Sequence, residues 1–219
     1  MNVARNRILE MLSDGKISPD EAEQLLAAVR GPSESFWSWI FRPMDRLQTP
    51  VATSIAALAA VAQLVIALVF HMRFYGALDS QPARDTVGWA SAWVDLAVAW
   101  PITALIFFAS ARLFARQGRF VDLLAMVGVA RVPLVAAGAM VGANRELLFR
   151  SAEAAARGEV SAGLIVIALA ATVLSAWFIT LLVTGLRTAS GLRGGRLALA
   201  FLAALVAAEA ISKALVSLF

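Results

Sequence analysis

Five long apolar runs dominate the chain, and a short amphipathic stretch precedes them. From Leu47 to Phe70 no residue is charged, and residues 51–70 match the roughly 20 that a helix needs to cross the hydrocarbon core of a bilayer. Comparable runs follow at 89–111, 123–141, 160–186 and 197–219. The pattern predicts an all-α fold: a polytopic membrane helical bundle of five transmembrane helices, preceded by a small N-terminal helical hairpin.

The hairpin is read from residues 1–31. Ile8, Leu9, Met11 and Leu12 fall at helical spacing, Asp14-Gly15-Lys16 breaks the pattern, and Ser18-Pro19-Asp20-Glu21 opens a second helix. Ser18 suits the N-cap, Pro19 the first helical position, and Glu21 the reciprocal position of a capping box. Gly31 followed by Pro32 marks the stop. Ala22, Leu25, Leu26 and Val29 make one stripe, so the two helices can close through Ile8, Met11, Leu12, Leu25 and Leu26. A unit this small buries little surface by itself. These five residues are therefore the candidate recognition surface, docking on the membrane domain, on a second copy or on a partner protein.

Between hairpin and first span, residues 32–50 form an interfacial segment. Phe36, Trp37, Trp39, Ile40 and Phe41 adjoin Arg42 and Arg46, a mixture of aromatic rings and arginines that belongs in the headgroup layer. The membrane domain then occupies residues 51–219.

Composition supports the membrane reading and narrows the chemistry. Apolar residues make up 60% and charged ones 16%, with mean hydropathy +0.77, whereas soluble domains carry about 25% charged residues. There is no cysteine and a single histidine, His71, so no metal site, cofactor or catalytic residue is expected. The net charge of +4 is scattered through short loops, which points to topology and away from nucleic acid. The start of the chain lacks the basic-then-apolar order of a secretory signal. With the N-terminus in the cytoplasm, inside segments hold twelve Lys and Arg and outside segments five, the asymmetry expected of that orientation. Five spans then place the C-terminus on the outer side.

Four ionisable residues fall inside predicted spans: Asp95, Arg131, Glu209 and Lys213. Such residues are costly in a bilayer and face the bundle interior. Glu209 and Lys213 stand at i and i+4 and can neutralise each other, which leaves Arg131 to meet Asp95 from the preceding helix. The set is either a structural ion-pair network or a polar pathway for a transported species. Gly138 and Gly142 supply a close-packing face, and Pro101 and Pro133 interrupt their helices.

Two stretches carry a family resemblance. Residues 8–26, from Ile8 through Ser13-Asp14-Gly15-Lys16 to Leu26, resemble the SHOCT-like hairpin appended to many bacterial membrane proteins, which implies an assembly role. Ile40-Phe41-Arg42-Pro43, Gly118-Arg119-Phe120-Val121-Asp122-Leu123 with Gly128-Val129-Ala130-Arg131-Val132-Pro133-Leu134, and Trp177 through Leu186 resemble the Yip family of membrane proteins over about residues 36–219. That resemblance implies five spans, a cytosolic N-terminus, and a role in organising membranes or recruiting partners. The Rab-contacting motif of eukaryotic relatives is absent, since Phe74-Tyr75-Gly76 does not match it. The functional expectation is a non-enzymatic scaffold or adaptor in a bacterial inner membrane. Its partners are the lipid bilayer and either a protein or a second copy, with no small-molecule substrate. A small transporter or channel component is the alternative.

Overall fold

The computed structural model describes residues 3–30, 36–76, 78–116, 118–155, 159 and 161–216. The stop signal expected at Gly31-Pro32 and the side chain of Val29 lie outside the described residues. The chain divides into two compact units, Met1–Ile40 and Phe41–Phe219.

In the first unit, α1 (Val3–Ser13) and α2 (Pro19–Arg30) form the hairpin. The turn closes through Gly15, whose φ of 66° is the left-handed conformation glycine adopts without penalty, and through Lys16 N–H donating to the Met11 carbonyl at 2.9 Å. The capping box forms as its residues imply. Ser18 N–H donates to Glu21 Oε2 at 2.9 Å, and Glu21 N–H donates to Ser18 Oγ at 3.2 Å. The short helix α3 (Phe36–Phe41) presents Phe36, Trp37 and Trp39 outward, exposed.

The second unit holds five helices long and apolar enough to span a membrane: Thr49–Val69, Trp89–Ala115, Phe120–Ala143, Ala162–Ser190 and Gly194–Val216. They are α4, then α5 (Trp89–Ala97) continuing into α6 (Thr103–Ala115), α7, α9 and α10. The stretch between the third and fourth predicted spans carries an eleven-residue helix, α8 (Arg145–Ala155). The join between α5 and α6 is a π-helical turn, Val98–Ile102, built on Pro101. Proline removes one helical donor and clashes with the turn before it, and the wider π turn accommodates both. Pro133, by contrast, sits inside an uninterrupted α7.

Local sequence explains the helix ends. Pro50 lies in the first turn of α4, where its missing N–H costs no helical bond. Ser161 caps α9 by accepting from Leu164 N–H at 3.1 Å, and Gly191 at φ 71° ends it.

The hub is α7: 67% of its apolar window is buried, against 11% for α9, which leaves most of α9 facing lipid. The main core joins Phe107 of α6, Leu123 and Met126 of α7, Phe178 and Leu182 of α9 and Phe201 of α10. Because α4 and α7 run parallel, Thr49 meets Asp122 at one end and Phe70 meets Gly142 at the other. The glycine pair of α7 packs inside the bundle. A Cβ on Gly138 would come within 2.9 Å of the Phe74 ring and one on Gly142 within 2.5 Å of Phe70 Cβ. The starts of α4, α7 and α10 and the ends of α6 and α9 lie at the near end of the bundle; residues 70–76 and 78–88 and α8 lie at the far end.

Those far-end residues do not merely connect spans. Strands β1 (Met72–Arg73) and β2 (Gln81–Pro82) pair antiparallel, and Met72 and Phe74 are fully buried against Ile66 and Val135. The segment folds back into the mouth of the bundle and brings Arg73 with it.

Candidate functional site

Asp95, on α5, is fully buried. Arg73 reaches it with two donors, Nε to Oδ2 at 2.7 Å and Nη2 to Oδ1 at 2.9 Å, and Phe74 N–H adds a third at 3.1 Å. This is the bidentate fork that a guanidinium and a carboxylate form best. The bonds to Asp95 hold the Arg73 guanidinium above its ordinary pKa, outweighing the opposing effect of partial burial. Its charged plane also lies 4.6 Å from the Tyr75 ring centroid, a cation–π contact.

The expected pairing of Arg131 with Asp95 forms as a charge–charge attraction through space, while the hydrogen bonds to Asp95 come from Arg73 and Phe74. Arg131 is buried, with Nε donating to Gln63 Oε1 at 3.0 Å and Nη1 to the Ala99 carbonyl at 3.0 Å. The physical reason is the π turn: it presents the Ala99 carbonyl to α7, while the fold-back segment supplies Asp95 with a nearer cation. Trp100 closes the same junction, its Nε1 donating to the Leu124 carbonyl at 2.8 Å. The space beside Arg131 totals about 160 Å³ of interstices and is nowhere wide enough to seat a water molecule.

Glu209 and Lys213 pair along α10 as their spacing implies, with Nζ 2.9 Å from Oε1. The structure adds partners from the fold-back segment. Lys213 also reaches Asp79 at 3.2 Å, and Leu78 N–H donates to Glu209 Oε2 at 3.3 Å. Asp95, Arg131, Glu209 and Lys213 thus do not meet as one hydrogen-bonded group; one charged cluster pins Arg73 and Phe74 to α5, another pins Leu78 and Asp79 to α10, and Arg131 braces α4, α7 and the π turn while attracting Asp95 through space. His71 lies beyond α4 with φ 52°, its Nδ1 3.4 Å from Val87 N–H, and takes part in neither cluster.

Sequence reasoning missed Arg73 and Gln63. In the sequence Arg73 reads as one of the topological charges, yet Met72-Arg73-Phe74-Tyr75 alternates apolar and polar positions, the signature of a half-buried strand. Gln63 is the only amide side chain in α4, and an uncompensated amide in a span signals an interior partner.

In the hairpin, Ile8 and Ala22 are enclosed between the two helices, at 7% and 2% exposure. Met11, Leu12 and Leu26 are half-buried, whereas Leu25 remains 41% exposed. Leu9, at 43%, joins Leu25 as exposed apolar surface. The five-residue set therefore separates into an internal contact, Ile8, and a partly open face.

Five helices long and apolar enough to cross a bilayer, packed on an apolar core, define a multi-pass helical membrane protein. The model of the Yip1 domain matches residues 27–213 and that of a SHOCT-like domain residues 5–34; the chain belongs to the Yip1 domain family. Comparison with curated proteins and with solved structures gives no match.

Proposed function

We propose that the protein is a non-enzymatic membrane scaffold or adaptor whose N-terminal hairpin carries recognition. The observation that supports this reading is the division of labour between the two units. The two buried charges of the bundle among the described residues, Asp95 and Arg131, are held by protein groups, and the space at Arg131 seats no water, as suits a static brace better than a conduction path. The hairpin, in contrast, leaves Leu9 and Leu25 in the open beside half-buried Met11, Leu12 and Leu26. Exposed apolar side chains on so small a unit suit a protein partner or a second copy.

In this reading the N-terminus is cytoplasmic, the C-terminus lies across a bacterial inner membrane, and the four intramembrane charges serve packing. Because the chain has no cysteine, one thiol introduced at Leu25 reports on its neighbours alone. Leu25→Cys with a short thiol-reactive crosslinker in native membranes should give a discrete adduct, and Lys16→Cys, on the polar turn, should not. Identical patterns at both positions would contradict the proposal.

A further inference from the structure

The near end of the bundle carries a cleft of about 230 Å³ lined by Met44, Leu47, Thr49, Arg119, Asp122, Gly185, Thr188 and Ala189. Four elements meet there: the turn at Pro43–Asp45, the starts of α4 and α7 and the end of α9. Its lining is divided chemically. Met44, Leu47, Gly185 and Ala189 offer apolar surface, while Arg119 and the two threonines stand at the polar part.

The charges around this cleft are unequal. Segments 42–46, 112–122 and 187–196 hold eight arginines, all exposed, against two acids, Asp45 and Asp122. Both acids are already engaged. Thr188 donates its hydroxyl to Asp45, and Thr49 donates to Asp122 at 2.9 Å. Asp122 also lies in the first turn of α7, where the helix dipole favours a carboxylate. Arg119, by contrast, approaches Asp122 only to 3.9 Å, and its side chain is 77% exposed. At the far end five described basic residues face seven acids, so the excess belongs to one end.

We propose that this cleft seats the phosphate-bearing headgroup of an anionic phospholipid. Arg119 contacts the phosphate, and Met44 and Leu47 lie under the glycerol and the first acyl carbons. A guanidinium suits the phosphate because its planar fork donates two parallel bonds. The apolar lining is what distinguishes a lipid from a soluble phosphate. The location fits as well: the cleft opens where the spans end, at the depth of headgroups.

The excess of arginine at one end has a simpler explanation in topology, and the test separates the two. The full chain in mild detergent is titrated with phosphatidylglycerol, with phosphatidylethanolamine and with glycerol phosphate, and retained lipid is read by native mass spectrometry. Wild type should retain phosphatidylglycerol in preference to phosphatidylethanolamine. Arg119→Gln should lower that retention by about fivefold, the worth of one arginine–lipid contact at a membrane surface. Arg112→Gln is the control. Arg112 is exposed at the same end, but it lies 5.7 Å from the Phe108 ring and lines no part of the cleft. Its loss should leave retention within twofold of wild type. Equal losses for the two variants, or none for Arg119→Gln, would overturn the site in favour of diffuse charge. Displacement of the lipid by an equal concentration of glycerol phosphate would overturn the lipid assignment and leave a soluble phosphate as the ligand.

Discussion

Replacing Asp95 by Asn isolates the contact that ties the fold-back segment to the bundle. Asn keeps the shape and one acceptor oxygen but removes the charge, so the two-point grip of Arg73 and the bond from Phe74 N–H can no longer all be satisfied. Hydrogen bonds to a charged group contribute about 1.5–3 kcal/mol each, and breaking a buried pair at one partner costs about 3–5 kcal/mol. Asp95 is only 1% exposed, but the Arg73 side chain is 20% exposed and can turn toward water. The expected loss is therefore about 2–3 kcal/mol, or roughly a 5–10 °C fall in Tm for a domain of this size. Thermal unfolding in detergent measures it, and a single cysteine at Tyr75 should label faster in the Asn background as the segment loosens. The double variant with Arg73→Gln should be little worse than Asp95→Asn alone, because both remove one interaction. Additive losses for Asp95 with Arg73 would refute the assignment of partners.

Two further outcomes follow from the geometry. Gly128→Ala places its Cβ within 2.2 Å of Ala56 Cβ, so overpacking between α4 and α7 should cost about 1–3 kcal/mol, whereas Gly195→Ala, with nothing within 4 Å, should not lower the thermal midpoint of the detergent-solubilised chain. In the hairpin, donation from Ser18 N–H, and then from its hydroxyl, holds the Glu21 carboxyl below the usual value of 4.5. A group whose pKa is depressed by folding stabilises the fold above its unfolded value and ceases to do so as the pH falls through its folded one. The backbone amide signal of Ser18 in labelled protein should therefore shift as the pH drops below 4.5, and Glu21→Gln should abolish that shift.

The parts legible in the sequence are those whose causes are local. A span is announced by its own uncharged run, and the capping box by Ser18 and Glu21 three residues apart. The Glu209–Lys213 pair is local too, lying within one turn of one helix. Partners chosen by tertiary placement were not legible in the same way. Asp95 pairs with Arg73 only because Met72 and Phe74 bury themselves and swing the arginine inward, and Arg131 turns to Gln63 and Ala99 because Pro101 opens a π turn opposite it. Gly128 carries no local mark of its contact with Ala56, which arises from the parallel approach of α4 to α7. In the hairpin, spacing found the apolar stripe, but the division into enclosed Ile8 and exposed Leu25 depends on how the two helices meet.

The central claim, that recognition resides in the hairpin, is tested most directly by mild-detergent co-purification from native membranes. The full chain is compared with the double variant Leu25→Asp and Leu26→Asp, and both the mass of the assembly and its bound proteins are read. Selective loss of a partner or of an oligomer, with the thermal midpoint of the membrane domain unchanged, is the result expected of an adaptor. An identical mass and an identical set of bound proteins would contradict it.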